Sequence, residues 1–113
     1  MKKSILIADD DENILNLLKL CLPEYEVTTA RNGREALDHF EKNKYDLVVL
    51  DLMMPKMNGW EACREIKKKS KTPVLILTAK ETTEDLFENT PDGFLIKPFD
   101  PVELSKKINL MLI

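Results

Sequence analysis

Short, unbroken apolar runs constrain this chain more than any other feature. Ile5–Ala8, Leu47–Leu50 and Pro73–Leu77 are each apolar throughout. A strand with one face in water alternates apolar with polar residues, so an uninterrupted run predicts a strand buried on both faces, the pattern of a parallel sheet covered by helices. Between the runs the period changes to that of a helix. Ile14, Leu15, Leu18, Cys21 and Leu22 form one stripe, widened by Leu17 and Leu20 and stopped by Pro23. Tyr25–Ala30 alternates, as an edge strand does. Arg31-Asn32-Gly33 then turns into a helix with Ala36, Leu37 and Phe40 inward and an end near Asn43. A third helix carries Trp60, Cys63 and Ile66. Gly93–Ile96 is a fifth strand, and the last helix is marked by Asp100 as cap, Pro101 in its first position and Glu103 completing a capping box, with Leu104, Ile108, Met111 and Leu112 on its apolar face. Between Thr82 and Asp92 only Leu86 and Phe87 are apolar before Thr90-Pro91-Asp92-Gly93, so a fourth helix there is expected to be short or mobile.

Strand and helix thus alternate five times. This predicts an α/β fold built on a single doubly wound, five-stranded parallel sheet with right-handed crossovers and helices on both faces. With 113 residues, 43% of them hydrophobic, the chain suits one domain with its own core. It shows no apolar run long enough to span a membrane and no signal-peptide pattern, which predicts a cytoplasmic protein. Cys21 and Cys63 lie within helical patterns and are expected to be buried, reduced thiols. One histidine, His39, and no paired cysteines leave nothing from which to build a zinc site. A net charge of −3 gives no overall field for nucleic acid, and the run Lys67, Lys68, Lys69, Lys71 is expected to be a solvated helix end.

The ends of the strands carry the chemistry. Asp9 and Asp10 follow the first, Asp51 the third, Thr78 the fourth and Lys97 the fifth. Taken alone, Asp51 could simply end a strand or cap a turn, and Asp11 and Glu12 suit the first turn of a helix. In a parallel sheet, however, all these ends share one rim, which is where open α/β sheets bind ligands. If the first and third strands are neighbours, three carboxylates meet and repel one another by several kcal/mol, at roughly 4 to 5 Å and an intermediate dielectric. A hard divalent cation relieves that, and Mg²⁺ suits a site with few carboxylates and several waters. A carboxylate beside such an ion can attack phosphorus, and a lysine ammonium and a threonine hydroxyl can hold the phosphoryl oxygens.

The motifs Ile7-Ala8-Asp9-Asp10-Asp11-Glu12-Asn13, Asp51-Leu52-Met53-Met54-Pro55 with Asn58-Gly59, Thr78-Ala79 and Lys97-Pro98-Phe99 together resemble a receiver domain of a two-component response regulator, CheY-like, over residues 1–113. The resemblance implies a flavodoxin-like sheet in the order 2-1-3-4-5. It implies that Asp51 accepts a phosphoryl group from the phosphohistidine of a sensor histidine kinase or a histidine phosphotransfer protein. Asp9, Asp10 and the Met53 backbone carbonyl would join Asp51 around Mg²⁺, and Thr78 and Lys97 would hold the phosphoryl oxygens. Phe94 would be the aromatic switch that turns inward as Thr78 moves, and Lys97-Pro98 would be a cis peptide. Met53 and Lys80 fall where such domains tune phosphoryl lifetime. A downstream partner or fused output domain would use the fourth helix, fifth strand and last helix, with a phosphorylation-dependent homodimer as a further outcome.

The function expected is therefore a phosphorylation-controlled switch, not an enzyme with external turnover. The segment between Thr78 and Lys97 is about three residues shorter than the family's pattern, which bears on the output face. Two alternatives stand beside it: a docking module that signals without phosphorylation, and an aspartate-nucleophile phosphatase. The second normally needs an aspartate two residues after the nucleophile, where this chain has Met53. A flavin-binding role lacks a phosphate-cradling loop after the first strand, and no P-loop is present.

Overall fold

The computed structural model describes residues 2–79 and 91–113. The reading of a short or mobile fourth helix between Thr82 and Asp92 falls, save for its last two residues, outside the described residues, as does Lys80. Five strands, β1 (Ser4–Ala8), β2 (Glu26–Ala30), β3 (Leu47–Asp51), β4 (Val74–Thr78) and β5 (Gly93–Ile96), form one sheet in the order β2-β1-β3-β4-β5. Every neighbouring pair is parallel. Among the described residues four helices cover it: α1 (Glu12–Cys21), α2 (Gly33–Lys42), α3 (Gly59–Lys69) and the C-terminal α4 (Pro101–Met111).

The unbroken apolar runs serve both faces at once. In β3, Val48 and Leu50 join Leu6, Ala8, Val74 and Ile76 beneath α2 and α3, while Leu47 and Val49 join Ile5, Ile7, Leu75 and Leu77 beneath α1 and α4. Alternate side chains of a strand point to opposite faces, so a fully apolar strand is the sequence of a two-sided core. Each helix meets its face through the residues its pattern singled out: Leu15 and Leu18 of α1, Ala36 and Leu37 of α2, Trp60, Cys63 and Ile66 of α3, Leu104 and Ile108 of α4. The capping box at Asp100 and Glu103 forms, with Pro101 in the first turn, and a second one forms at Asn58 and Glu61.

Three readings need correction. Leu17 and Leu20 do not widen the buried stripe of α1; they are 48% and 78% exposed, while Leu15, Leu18 and Leu22, with Ile14 partly buried beside them, pack on the sheet. Lys67 is not a solvated helix end. Its side chain is 19% exposed and its ammonium lies 2.5 Å from Asp92 and donates to the Thr72 carbonyl at 2.9 Å, the aliphatic stem reaching across the surface to an ionic tip. Cys21 is half-buried rather than buried.

The amino ends of the strands are fastened by one device used twice. Asp46 donates its amide to the Ser4 carbonyl (2.8 Å) while its carboxylate accepts the Ser4 amide (2.8 Å). Asp92 does the same with Val74, at 2.9 and 2.8 Å. Each clasp satisfies backbone groups that a strand's first residue would leave to water.

Both cysteines are free thiols, and burial above all pushes that of Cys63 up to about 11. A thiol held neutral in this way is a poor nucleophile. We expect a thiol-reactive dye to label Cys21 in the native protein and Cys63 only after denaturation; two fast equivalents in the native state would contradict the burial. The same shift makes stability fall as pH rises from 9 toward 11, where the unfolded thiol ionises first.

Candidate functional site

The carboxyl rim brings together what the sequence placed at strand ends. β1 and β3 are direct neighbours, with Ala8 opposite Leu50, so Asp9 and Asp51 emerge side by side. Ligand atoms of Asp9, Asp10 and Asp51 lie within 4.8 Å of one another. Asp9 and Asp51 are buried, at 1% and 5% exposure, whereas Asp10 is exposed. This is a pocket with two sunken carboxylates and one at its mouth.

Lys97 follows β5, two strands away, and reaches into the same pocket. Its ammonium stands 2.9 Å from Asp51 and 3.3 Å from Asp9. The Lys97 amide also donates to the Thr78 carbonyl (2.6 Å), which ties the β5 end to that of β4, and the Lys97-Pro98 peptide is cis as expected. Thr78 itself closes β4, buried and in register with Ile96. Phe94 is half-buried against the α2–α3 core and pairs with Ile76. Met53 is 74% exposed in the loop after β3.

Burial and charge compete in the pocket. Desolvation is the largest influence on Asp9 and Asp51 and raises both above their ordinary values; Lys97 and, for Asp9, the Asp11 amide (2.9 Å) only partly offset it. Burial by itself would lower Lys97. The hydrogen bond and charge of Asp51, followed by the charge of Asp9, outweigh it and hold the ammonium above its ordinary value. Two buried carboxylates thus share one cation, and a third carboxylate adds further negative charge. An all-oxygen set so arranged is the donor chemistry a hard divalent cation prefers, so the residues fit Mg²⁺.

Sequence reading missed the supports around this pocket. Asp11 caps α1 as its place in the acidic run suggested, accepting from the Asn13 amide, but the further bond from its own amide to Asp9 was not legible. The loop after Asp51 contains Lys56 with φ +66°, the only positive φ among the described residues, and its Met57 carbonyl accepts the Gly33 amide at the start of α2 (3.1 Å). The Asn32-Gly33 signal was visible, but only as a local turn.

A doubly wound sheet in this strand order, with a carboxylate trio and one lysine gathered at its carboxyl rim, defines a class of flavodoxin-like α/β domain with an acidic rim site. Residues 5–109 match the response regulator receiver domain family, and the chain belongs to it. It is 44% identical to the probable transcriptional regulator ycf27 of Cyanidium caldarium, over 96% of this chain and 45% of that protein. It is 40% identical to the response regulator ArlR of Staphylococcus aureus, over 96% of this chain and 52% of that one. The chain therefore spans about half the length of these curated relatives. Among solved structures, chemotaxis response regulator CheY4 of Vibrio cholerae superposes with a TM-score of 0.93 at 32% identity, covering 99% of this chain and all of that one. A BeF3-activated DrrB receiver domain gives 0.89 at 33%, covering 99% and 98%. Among the described residues no helix is long and apolar enough to cross a membrane.

Proposed function

We propose that Asp51 is the phosphoacceptor of this receiver and that its phosphorylation from a histidine kinase or histidine phosphotransfer protein switches the binding of a partner. The observation that carries this is the position of Asp51: buried at the end of the central strand, with two further carboxylates within reach and the Lys97 ammonium 2.9 Å away. An Asp51 oxygen attacks the phosphorus of a phosphohistidine protonated on its other ring nitrogen; a P–O bond forms as the P–N bond breaks, the P–N electron pair stays on the ring, and the histidine leaves as neutral imidazole. Asp9, Asp10, Asp51 and the Met53 carbonyl would hold Mg²⁺, which when bound neutralises charge on the transferring group. Lys97, already beside Asp51, is placed to follow that charge onto the phosphoryl oxygens, and Thr78 at the next strand end is the hydroxyl that could join it. The match to a BeF3-activated DrrB receiver domain supports a receiver that can be switched to an active state.

An apolar depression of about 410 Å³ lined by Ile14, Leu17, Leu18, Pro98, Phe99 and Pro101 opens beside Lys97 and gives the exposed Leu17 a role. It suits a helix of the phosphodonor, whose histidine must come within bonding distance of Asp51. For the output side we propose β5 and α4, where Phe94 would couple to Thr78. The longer relatives described as transcriptional regulators support a role in transcription for a protein that carries this domain.

The test is intact mass after incubation with phosphoramidate or acetyl phosphate, with and without Mg²⁺, followed by the same measurement with the phosphorylated cognate kinase. One phosphoryl group gained only with Mg²⁺ is the expected outcome. Absence of the adduct with every donor would return the reading to a docking module.

A further inference from the structure

We propose that Gly33, the first residue of α2, is a positioning residue for phosphoryl transfer: it props the turn at Lys56 and through it fixes the loop 52–59 that borders Asp51. The inference rests on the phosphoacceptor reading given above. The loop is built as a closed ring. At its base the Leu52 amide donates to the Leu77 carbonyl (2.8 Å) and the Gly59 amide donates to the Leu52 carbonyl (2.9 Å), so both ends are fixed beside β3 and β4. At its tip the Met57 amide donates to the Pro55 carbonyl (2.7 Å) across Lys56, whose φ is +66°. That is a three-residue γ-turn in its strained, positive-φ form, which a lysine adopts only where the surroundings enforce it.

Gly33 supplies the enforcement from outside the ring. Its amide is one of the first-turn donors of α2 that have no partner within the helix, and it takes the Met57 carbonyl at 3.1 Å. The approach is so close that a Cβ on residue 33 would lie 2.2 Å from that carbonyl oxygen and 2.8 Å from its carbon. These are backbone atoms, so they cannot be moved aside by a change of rotamer. Gly59 is seated equally tightly at the base, where a Cβ would fall 2.5 Å from the Asp51 carbonyl oxygen. The Gly59 end is held by its hydrogen bond to Leu52 and by close packing on the Asp51–Leu52 backbone. A side chain at 33 would drive the displacement into the tip and along 53–56, the stretch that starts two residues after the attacking carboxylate and holds the carbonyl assigned to the metal.

The experiment compares wild type, Gly33→Ala, Lys56→Gly and the double variant by Mg²⁺ titration of the fluorescence of Trp60, the only tryptophan, buried in the first turn of α3 beside the loop. Phosphoryl uptake from acetyl phosphate is measured in parallel on all four, and metal-free tryptic cleavage after the exposed Lys56 on wild type and Gly33→Ala, which keep that lysine. Gly33→Ala is expected to weaken Mg²⁺ binding about tenfold, to slow uptake at saturating Mg²⁺ by about 10- to 100-fold as misplacements near an ångström do, and to speed cleavage at Lys56. Lys56→Gly alone stays within about twofold in Mg²⁺ affinity and uptake, since glycine adopts the same turn without strain. In the double variant the pliant residue absorbs the displacement and restores most of the affinity and rate. If Gly33→Ala instead binds Mg²⁺ and accepts phosphate like wild type, or if the double variant recovers nothing, the proposal is wrong. Should Gly33→Ala fail to fold, recovery of fold and Mg²⁺ binding in the double variant supports the coupling, and a double variant that also fails overturns it. Failure of the phosphoacceptor reading is distinguishable, because wild type itself would then take up no phosphoryl group, while Lys56 cleavage would still report on the turn.

Discussion

Asp51→Asn takes up no phosphoryl group from any donor, keeps its fold, and melts within a few degrees of wild type. The loss is complete because the amide is not a nucleophile toward phosphorus and no other buried carboxylate occupies the same place. Asp9 is equally buried, but it already accepts the Asp11 amide, and its Oδ2 is the more distant of the two partners of Lys97. Retention of stability follows from the surplus of negative charge: removing one carboxylate leaves Lys97 paired with Asp9 at 3.3 Å, so no buried cation is stranded. Intact mass with Mg²⁺ and phosphoramidate, together with a thermal scan, checks both halves. A base-labile adduct on the variant would move the nucleophile elsewhere.

The second large effect is on the metal and its pH dependence. Asp9 and Asp51 sit above their ordinary value near 3.8 in the folded protein, chiefly through burial. Between that value and the raised ones the folded chain holds more protons than the unfolded chain, so metal-free stability contributed by this pair is present in acid and is lost as pH rises through the window. Lys97, raised above 10.5, contributes stability that persists until far more alkaline pH and does not alter the slope there. Metal ligands must be ionised, so Mg²⁺ acts in the opposite sense. The stabilisation gained from Mg²⁺ should be near zero in acid and grow as pH rises above the window, reaching about 2.7 kcal/mol at 100 times Kd, which raises the melting temperature by on the order of 10 °C for a domain of this size. In the double variant Asp9→Asn, Asp10→Asn the Mg²⁺ response should vanish at every pH. A titration curve unchanged by that double substitution would dispose of the site.

Much of this architecture could be read from residues because a parallel sheet makes local pattern and global position coincide. An apolar run without alternation means burial on two faces, and the residue that ends it lies on a common rim whatever its distance in sequence. Asp9, Asp51, Thr78 and Lys97 were legible for that reason. Leu17 and Leu20 were not, since a helical stripe shows which direction is apolar but not how wide a face the sheet covers. Lys67 resembled its neighbours Lys68 and Lys69, and only the fold brings Asp92 within 2.5 Å of it. The seat of Gly33 against Met57 joins the start of α2 to a loop 24 positions further on, and no periodicity records a contact of that kind.

The paired aspartate clasps at the amino ends of the strands have a mechanical meaning. Asp46 holds β3 to β1, and Asp92, itself gripped by Lys67, holds β5 to β4. Together they pin the amino ends of β1, β3, β4 and β5, opposite the rim that carries the carboxylates and the lysine. On the phosphoacceptor reading, a change at Asp51 would be taken up at the rim while the pinned amino ends hold the core strands in register.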